Sequence, residues 1–139
     1  MRKKIIWIID DDVIYQTIIK KLIKKSGVFS TNSSFLNGKE AITTLNNTLQ
    51  NNDDSIPDII LLDINMPVMD GWEFMEEIKT IKSQINKRII IYIVSSSISL
   101  EDKNKSKTFT DIIEYIPKPI SLDDLISIVE NNNDGDRPN

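Results

Sequence analysis

Short apolar runs of about four to eight residues alternate along this chain with longer stretches in which apolar residues recur every three or four positions. Five of the short runs read as strands: Ile5–Ile9, Val28–Phe35, Ile59–Leu62, Ile89–Val94 and Ile112–Ile116. The first, third and fourth are almost wholly apolar, the mark of central strands covered on both faces. The second, VFSTNSSF, is far more polar and short of β-branched bulk, and so suits an edge.

Helical spacing fills the intervals. Ile14, Ile18, Ile19, Leu22 and Ile23 form an apolar stripe that stops at Gly27, a residue that ends helices because it enters the left-handed region without a Cβ clash. Asn37 to about Gln50 turns Ala41, Ile42 and Leu45 inward. Phe74, Ile78, Ile81 and Ile85 fall on one face of a 3.6-residue period in a third helix that starts near Trp72. Asp70 is placed to cap it. Ser99 with Asp102 has the form of a capping box and opens a short, polar fourth helix. Leu122, Leu125, Ile126 and Val129 define a fifth helix after Pro119, and residues 131–139, NNNDGDRPN, read as a frayed tail. Residues 1–130 are therefore expected to form one domain, and a second of comparable size does not fit within 139 residues.

This alternation defines an α/β fold, a doubly wound, five-stranded parallel sheet with helices on both faces. Ligands of such sheets bind at the carboxyl ends of the strands. Asp10 and Asp11 end the first strand, Asp63 the third and Ser95 the fourth, and Lys118 follows the fifth. All five residues belong to one rim.

Composition narrows the chemistry available there. The chain has neither cysteine nor histidine, so thiolate and imidazole metal sites, disulfides and phosphohistidine on this chain are excluded. Lack of cysteine makes the cytoplasm the default compartment. No apolar stretch approaches the ~18 residues that span a bilayer, and the six-residue run in MRKKIIWIIDDD ends in acids rather than in a cleavage site. A net charge of −4, from 17 basic and 21 acidic residues, argues against direct nucleic-acid binding. Lys20, Lys21, Lys24 and Lys25 read as the solvated face of the first helix.

Two carboxylates about 4 Å apart repel by roughly 4 kcal/mol at an effective dielectric of about 20. Three acids gathered at one rim call for a cation or a proton. With only oxygen donors to hand the ion is expected to be hard, and magnesium fits because it accepts a few carboxylates and keeps waters that a substrate can replace. The competing reading of Asp10, Asp11 and Asp12 is an acid-rich cap for the first helix; it can hold for Asp12 even where the first two bind metal.

The acidic pair Asp10-Asp11, the block LLDINMPVMDG around Asp63, Ser95 after IYIV and Lys118-Pro119 resemble, in order and in strand context, the receiver domain of two-component response regulators. The likeness spans about residues 4–130. It implies a flavodoxin-like (βα)5 fold with strand order 2-1-3-4-5. It also implies that Asp63 is the phosphoacceptor, that Asp10, Asp11, Asp63 and the backbone carbonyl of Asn65 hold Mg2+, and that Lys118 and Ser95 contact the bound phosphoryl group. Ser95 and Tyr115 are then the switch residues, Asn65 and Ser97 stand where the family tunes phosphoryl lifetime, and the Lys118-Pro119 peptide is commonly cis. The departures are small: Ser95 replaces the commoner threonine, and Pro117 precedes Lys118.

By the same resemblance the phosphodonor is a histidine kinase or a histidine phosphotransfer protein; the exposed side of the first helix, including Tyr15 and Ile14, is expected to be its docking surface because it borders the acidic site. Output passes to an unknown downstream protein. Two other readings compete. Asp10-x-Asp12 after an apolar strand also resembles haloacid-dehalogenase-type phosphatases, although that reading gives Asp63 no task. The other is a receiver that docks without being phosphorylated.

Overall fold

The computed structural model describes residues 3–133. Its elements alternate as expected: β1 (Lys4–Ile9), α1 (Val13–Ser26), β2 (Phe29–Phe35), α2 (Gly38–Gln50), β3 (Ile59–Leu62), α3 (Gly71–Ile81), β4 (Ile90–Ser95), α4 (Leu100–Ser106), β5 (Ile112–Pro117) and α5 (Leu122–Asn133). The sheet is parallel with order β2-β1-β3-β4-β5. β1, β3 and β4 lie inside it, and polar β2 lies on an edge.

Period-two alternation splits the central strands between two cores. Trp7, Ile9, Ile60, Leu62, Ile91 and Ile93 face α2 and α3, whereas Ile6, Ile8, Ile59, Leu61, Ile90, Tyr92 and Val94 face α1 and α5. Burial on both faces explains why, apart from Lys4 at the start of β1 and Tyr92 in β4, these strands stay apolar up to their carboxyl ends, where Asp10, Asp63 and Ser95 stand.

The expected caps form. Asp12 accepts the Tyr15 N–H at the start of α1, and Gly27 closes that helix at φ 67°. Asp70 with Glu73 and Ser99 with Asp102 make capping boxes.

Two expectations fail locally. Ile14 and Ile18 do not face the core: they are 75% and 54% exposed, and the inward face of α1 is Gln16, Ile19 and Ile23. Gln16 displaces the apolar stripe because its amide donates to the carbonyls of Asp10 (3.0 Å) and Phe35 (3.1 Å), which the sheet leaves buried at the ends of β1 and β2. Ile85 is not on the third helix either, since α3 ends at Ile81 and tightens into a 3-10 turn over Lys82–Gln84. Ile85 still packs, half-buried, against the core of that face. At the C-terminus α5 runs to Asn133; the rest of the expected tail, 134–139, lies outside the described residues.

Candidate functional site

The rim residues converge. Oxygen atoms of Asp10, Asp11 and Asp63 lie within 4.8 Å of one another. Adjacent parallel strands bring the first and last of these side by side, because Asp63 N–H continues the ladder onto Ile9 O at 2.9 Å. Asp10 is 2% exposed, Asp63 9%, and Asp11 is open to solvent. Asp12 stands apart as the cap of α1, so the cap reading holds for the third acid of the triplet while the first two join the cluster with Asp63.

Lys118 leans into this group from the end of β5. Its ammonium lies 2.6 Å from Asp10 Oδ2 and 4.0 Å from Asp63 Oδ2. Its backbone N–H donates to Ser95 O at 3.0 Å, which fixes the lysine against the end of β4. The Lys118-Pro119 peptide is cis, as the sequence resemblance implied.

Asp63 keeps its proton more tightly than an ordinary carboxyl. Burial and then the Asp10 carboxylate push its pKa up to about 6, with a smaller push from Asp11. Lys118 and the Ile64 N–H, which donates to Asp63 Oδ1 at 2.9 Å, pull the other way. Three carboxylates with no soft donor beside them suit a small hard cation, which would offset both the burial and the repulsion.

The loop after Asp63 is held by close backbone contacts. Gly71 N–H donates to Ile64 O at 2.8 Å, and a Cβ at Gly71 would meet Asp63 O at 2.5 Å. The Asp70-Gly71 pair therefore caps α3 with its first residue and lets the helix approach the site with its second. Met69 N–H donates to Pro67 O at 2.7 Å across Val68, whose φ is 67°. Asn65 is exposed on this loop.

Ser95 is 4% exposed, and its hydroxyl is engaged within its own loop. It donates to Ser97 O at 2.7 Å. Tyr115, on β5 opposite Ile93, is half-buried against the α2/α3 core. Tyr15, expected on the exposed side of α1, instead places its ring 4.4 Å under the Lys118 ammonium and buries its hydroxyl. Ile14 remains outward.

Trp72, the second residue of α3, ties the site to α4. Its indole N–H donates to Asp102 at 3.3 Å, and its ring stacks on Phe109. Tyr15's position under Lys118, Gln16's carbonyl contacts and the Trp72 link were not foreseen from the sequence. Only Gln16 left a sequence signal, as the lone polar residue on the i, i+3, i+7 line through Ile19 and Ile23.

A five-stranded parallel sheet of this order with acids, a hydroxyl and a lysine at its carboxyl rim is the architecture of a receiver. The chain belongs to the response regulator receiver domain family, whose model matches residues 6–130. It is 28% identical over 130 residues to the DNA-binding transcriptional regulator NtrC of Salmonella typhimurium, covering 94% of this chain and 25% of that protein. The chain thus spans about a quarter of the length of that curated relative. Among solved structures, a phosphorylated cyanobacterial phytochrome response regulator, RcpA, is 31% identical with a TM-score of 0.72, covering 93% of this chain and 90% of that one. The receiver domain of the Arabidopsis thaliana histidine kinase CKI1, complexed with Mg2+, is 25% identical with a TM-score of 0.79, covering 94% and 92%. Among the described residues no helix is long and apolar enough to cross a membrane.

Proposed function

We propose that this receiver domain accepts a phosphoryl group on Asp63 and switches its α4–β5–α5 surface to regulate a partner protein. The observation that carries this reading is the meeting of Asp63 with Asp10, Asp11 and Lys118 at one strand edge. Asp10 lies nearer that lysine, but it is Asp63 that heads the DINMPVMDG block.

In the reaction a carboxylate oxygen of Asp63 attacks the phosphorus of a phosphohistidine on a histidine kinase or a histidine phosphotransfer protein. A P–O bond forms, the P–N bond breaks, and the donor imidazole leaves with the electron pair and takes up a proton. Such transfer depends chiefly on alignment and on positive charge near the phosphoryl oxygens. Lys118 supplies one such charge from this chain. Asp10, Asp11, Asp63 and the Asn65 carbonyl would hold Mg2+, which when bound neutralises the carboxylates and the phosphoryl oxygens. The acid set fits that ion, and a relative of the same fold carries it.

The Ser95 hydroxyl supports the switch. To reach a phosphoryl group on Asp63 it must give up Ser97 O, which displaces the loop before α4. Tyr115, half-buried on β5, is the residue expected to follow that movement.

Incubation with phosphorylated histidine kinases or phosphotransfer proteins tests the proposal. The expected product is an alkali- and hydroxylamine-labile phosphoryl group that peptide mapping assigns to Asp63. Label on any other residue overturns the assignment.

A further inference from the structure

Lys118 reaches the acidic cluster from β5, and α1 provides the surface beneath it. Asp10 Oδ1 accepts the Asp12 N–H at 2.9 Å, and Asp12 in turn accepts the Tyr15 N–H at 3.0 Å. The turn that presents the acids therefore also sets Tyr15. Its ring centroid lies 4.4 Å from the Lys118 ammonium, while that ammonium stays 2.6 Å from Asp10 and 4.0 Å from Asp63.

An aromatic face attracts a cation placed over it within about 6 Å. A lysine side chain otherwise gives up much rotamer freedom when it is fixed, and its ammonium is drawn to bulk water. The Tyr15 hydroxyl is buried and makes no hydrogen bond. Its contribution to the site therefore comes from the ring face, not from a donor or acceptor.

We infer that Tyr15 is a positioning residue for phosphoryl transfer, whose ring holds the Lys118 ammonium over the acidic cluster where the phosphoryl group arrives. This rests on the phosphoacceptor reading above. An aliphatic side chain at the same place fills part of the space but presents no π face, so Lys118 swings into solvent for part of the time.

Two measurements on wild type, Tyr15→Leu and Tyr15→Phe test it. The first is the rate at which an amine-reactive acylating reagent modifies Lys118, followed by mass spectrometry with no phosphodonor present. The second is the rate of labelling by acetyl phosphate with magnesium. Tyr15→Leu is expected to raise acylation of Lys118 about fivefold and to slow labelling about tenfold. Tyr15→Phe restores both to within about twofold of wild type. In a Lys118→Ala background Tyr15→Leu slows labelling no further. Unchanged acylation of Lys118 in Tyr15→Leu overturns the inference, and so does a Tyr15→Phe variant as slow as Tyr15→Leu, which would make the hydroxyl the active part. Wild type that takes no label refutes the phosphoacceptor reading instead, and the acylation rates then decide the hold of Tyr15 on Lys118 alone.

Discussion

Lys118 Nζ stands 2.6 Å from Asp10 Oδ2, closer than it comes to Asp63. This ammonium opposes the repulsion among the acids, and it competes with any cation for the same carboxylate. Removing the competitor should favour the metal. Lys118→Ala is expected to bind magnesium about three- to tenfold more tightly by calorimetric titration, a difference of about one kcal/mol or slightly less or more. It should also be labelled much more slowly by acetyl phosphate. Weaker magnesium binding in Lys118→Ala would contradict this competition.

The raised pKa of Asp63 makes a prediction about stability with its sign fixed. A carboxyl that titrates at about 6 when folded and at 3.8 ordinarily keeps its proton in the folded state after the unfolded chain has lost it. Ionisation therefore costs the fold nothing below the ordinary value, and the cost grows as pH rises and is complete above about 6. In EDTA, Asp63→Asn should melt with wild type at the acid end of this window and several degrees above it at slightly alkaline pH. Magnesium should narrow the gap. A gap that shrinks as pH rises would reverse the sign and refute the account.

Gly71 is required by contact rather than by a special φ. A methyl there meets the Asp63 carbonyl oxygen at 2.5 Å and Ile64 Cα at 3.0 Å, so Gly71→Ala must push α3 away from β3. The expected cost is about 1–3 kcal/mol in denaturant unfolding, with a marked loss of labelling even where the variant is fully folded. Wild-type labelling by Gly71→Ala would show that the loop accommodates the methyl without moving Asp63.

Trp72 offers an optical reading of the switch. Its indole contacts Asp102 in the capping box of α4, and Lys105 of the same helix lies 5.4 Å from its ring. Movement of α4 should alter both surroundings. Beryllofluoride with magnesium is expected to change the fluorescence of wild type, and Trp72→Phe should abolish the change while Trp7, buried in β1, remains. An undiminished change in Trp72→Phe would place the reporter elsewhere.

The central strands were legible because burial on both faces leaves them little choice but continuous apolar residues, and the site followed from which residues interrupt those runs at the ends. Ile14 and Ile18 were misplaced for a physical reason: periodicity ranks side chains by hydrophobicity, and it cannot tell that the Gln16 amide turns inward to donate to buried carbonyls at the ends of β1 and β2. Ile85 was misplaced because a 3-10 turn preserves burial while ending the α-helix. The pairing of Lys118 with Tyr15 joins residues from β5 and α1 that no sequence spacing relates. The Ser95–Ser97 hydrogen bond is likewise a matter of rotamer, which composition does not encode.

The phosphoacceptor assignment is tested most directly by intact-mass spectrometry after incubation with acetyl phosphate and magnesium. Wild type should gain the mass of one phosphoryl group, lose it on treatment with EDTA-free hydroxylamine, and Asp63→Asn should gain none. Equal phosphorylation of Asp63→Asn, or a wild type that gains no mass while it binds magnesium, would contradict the account.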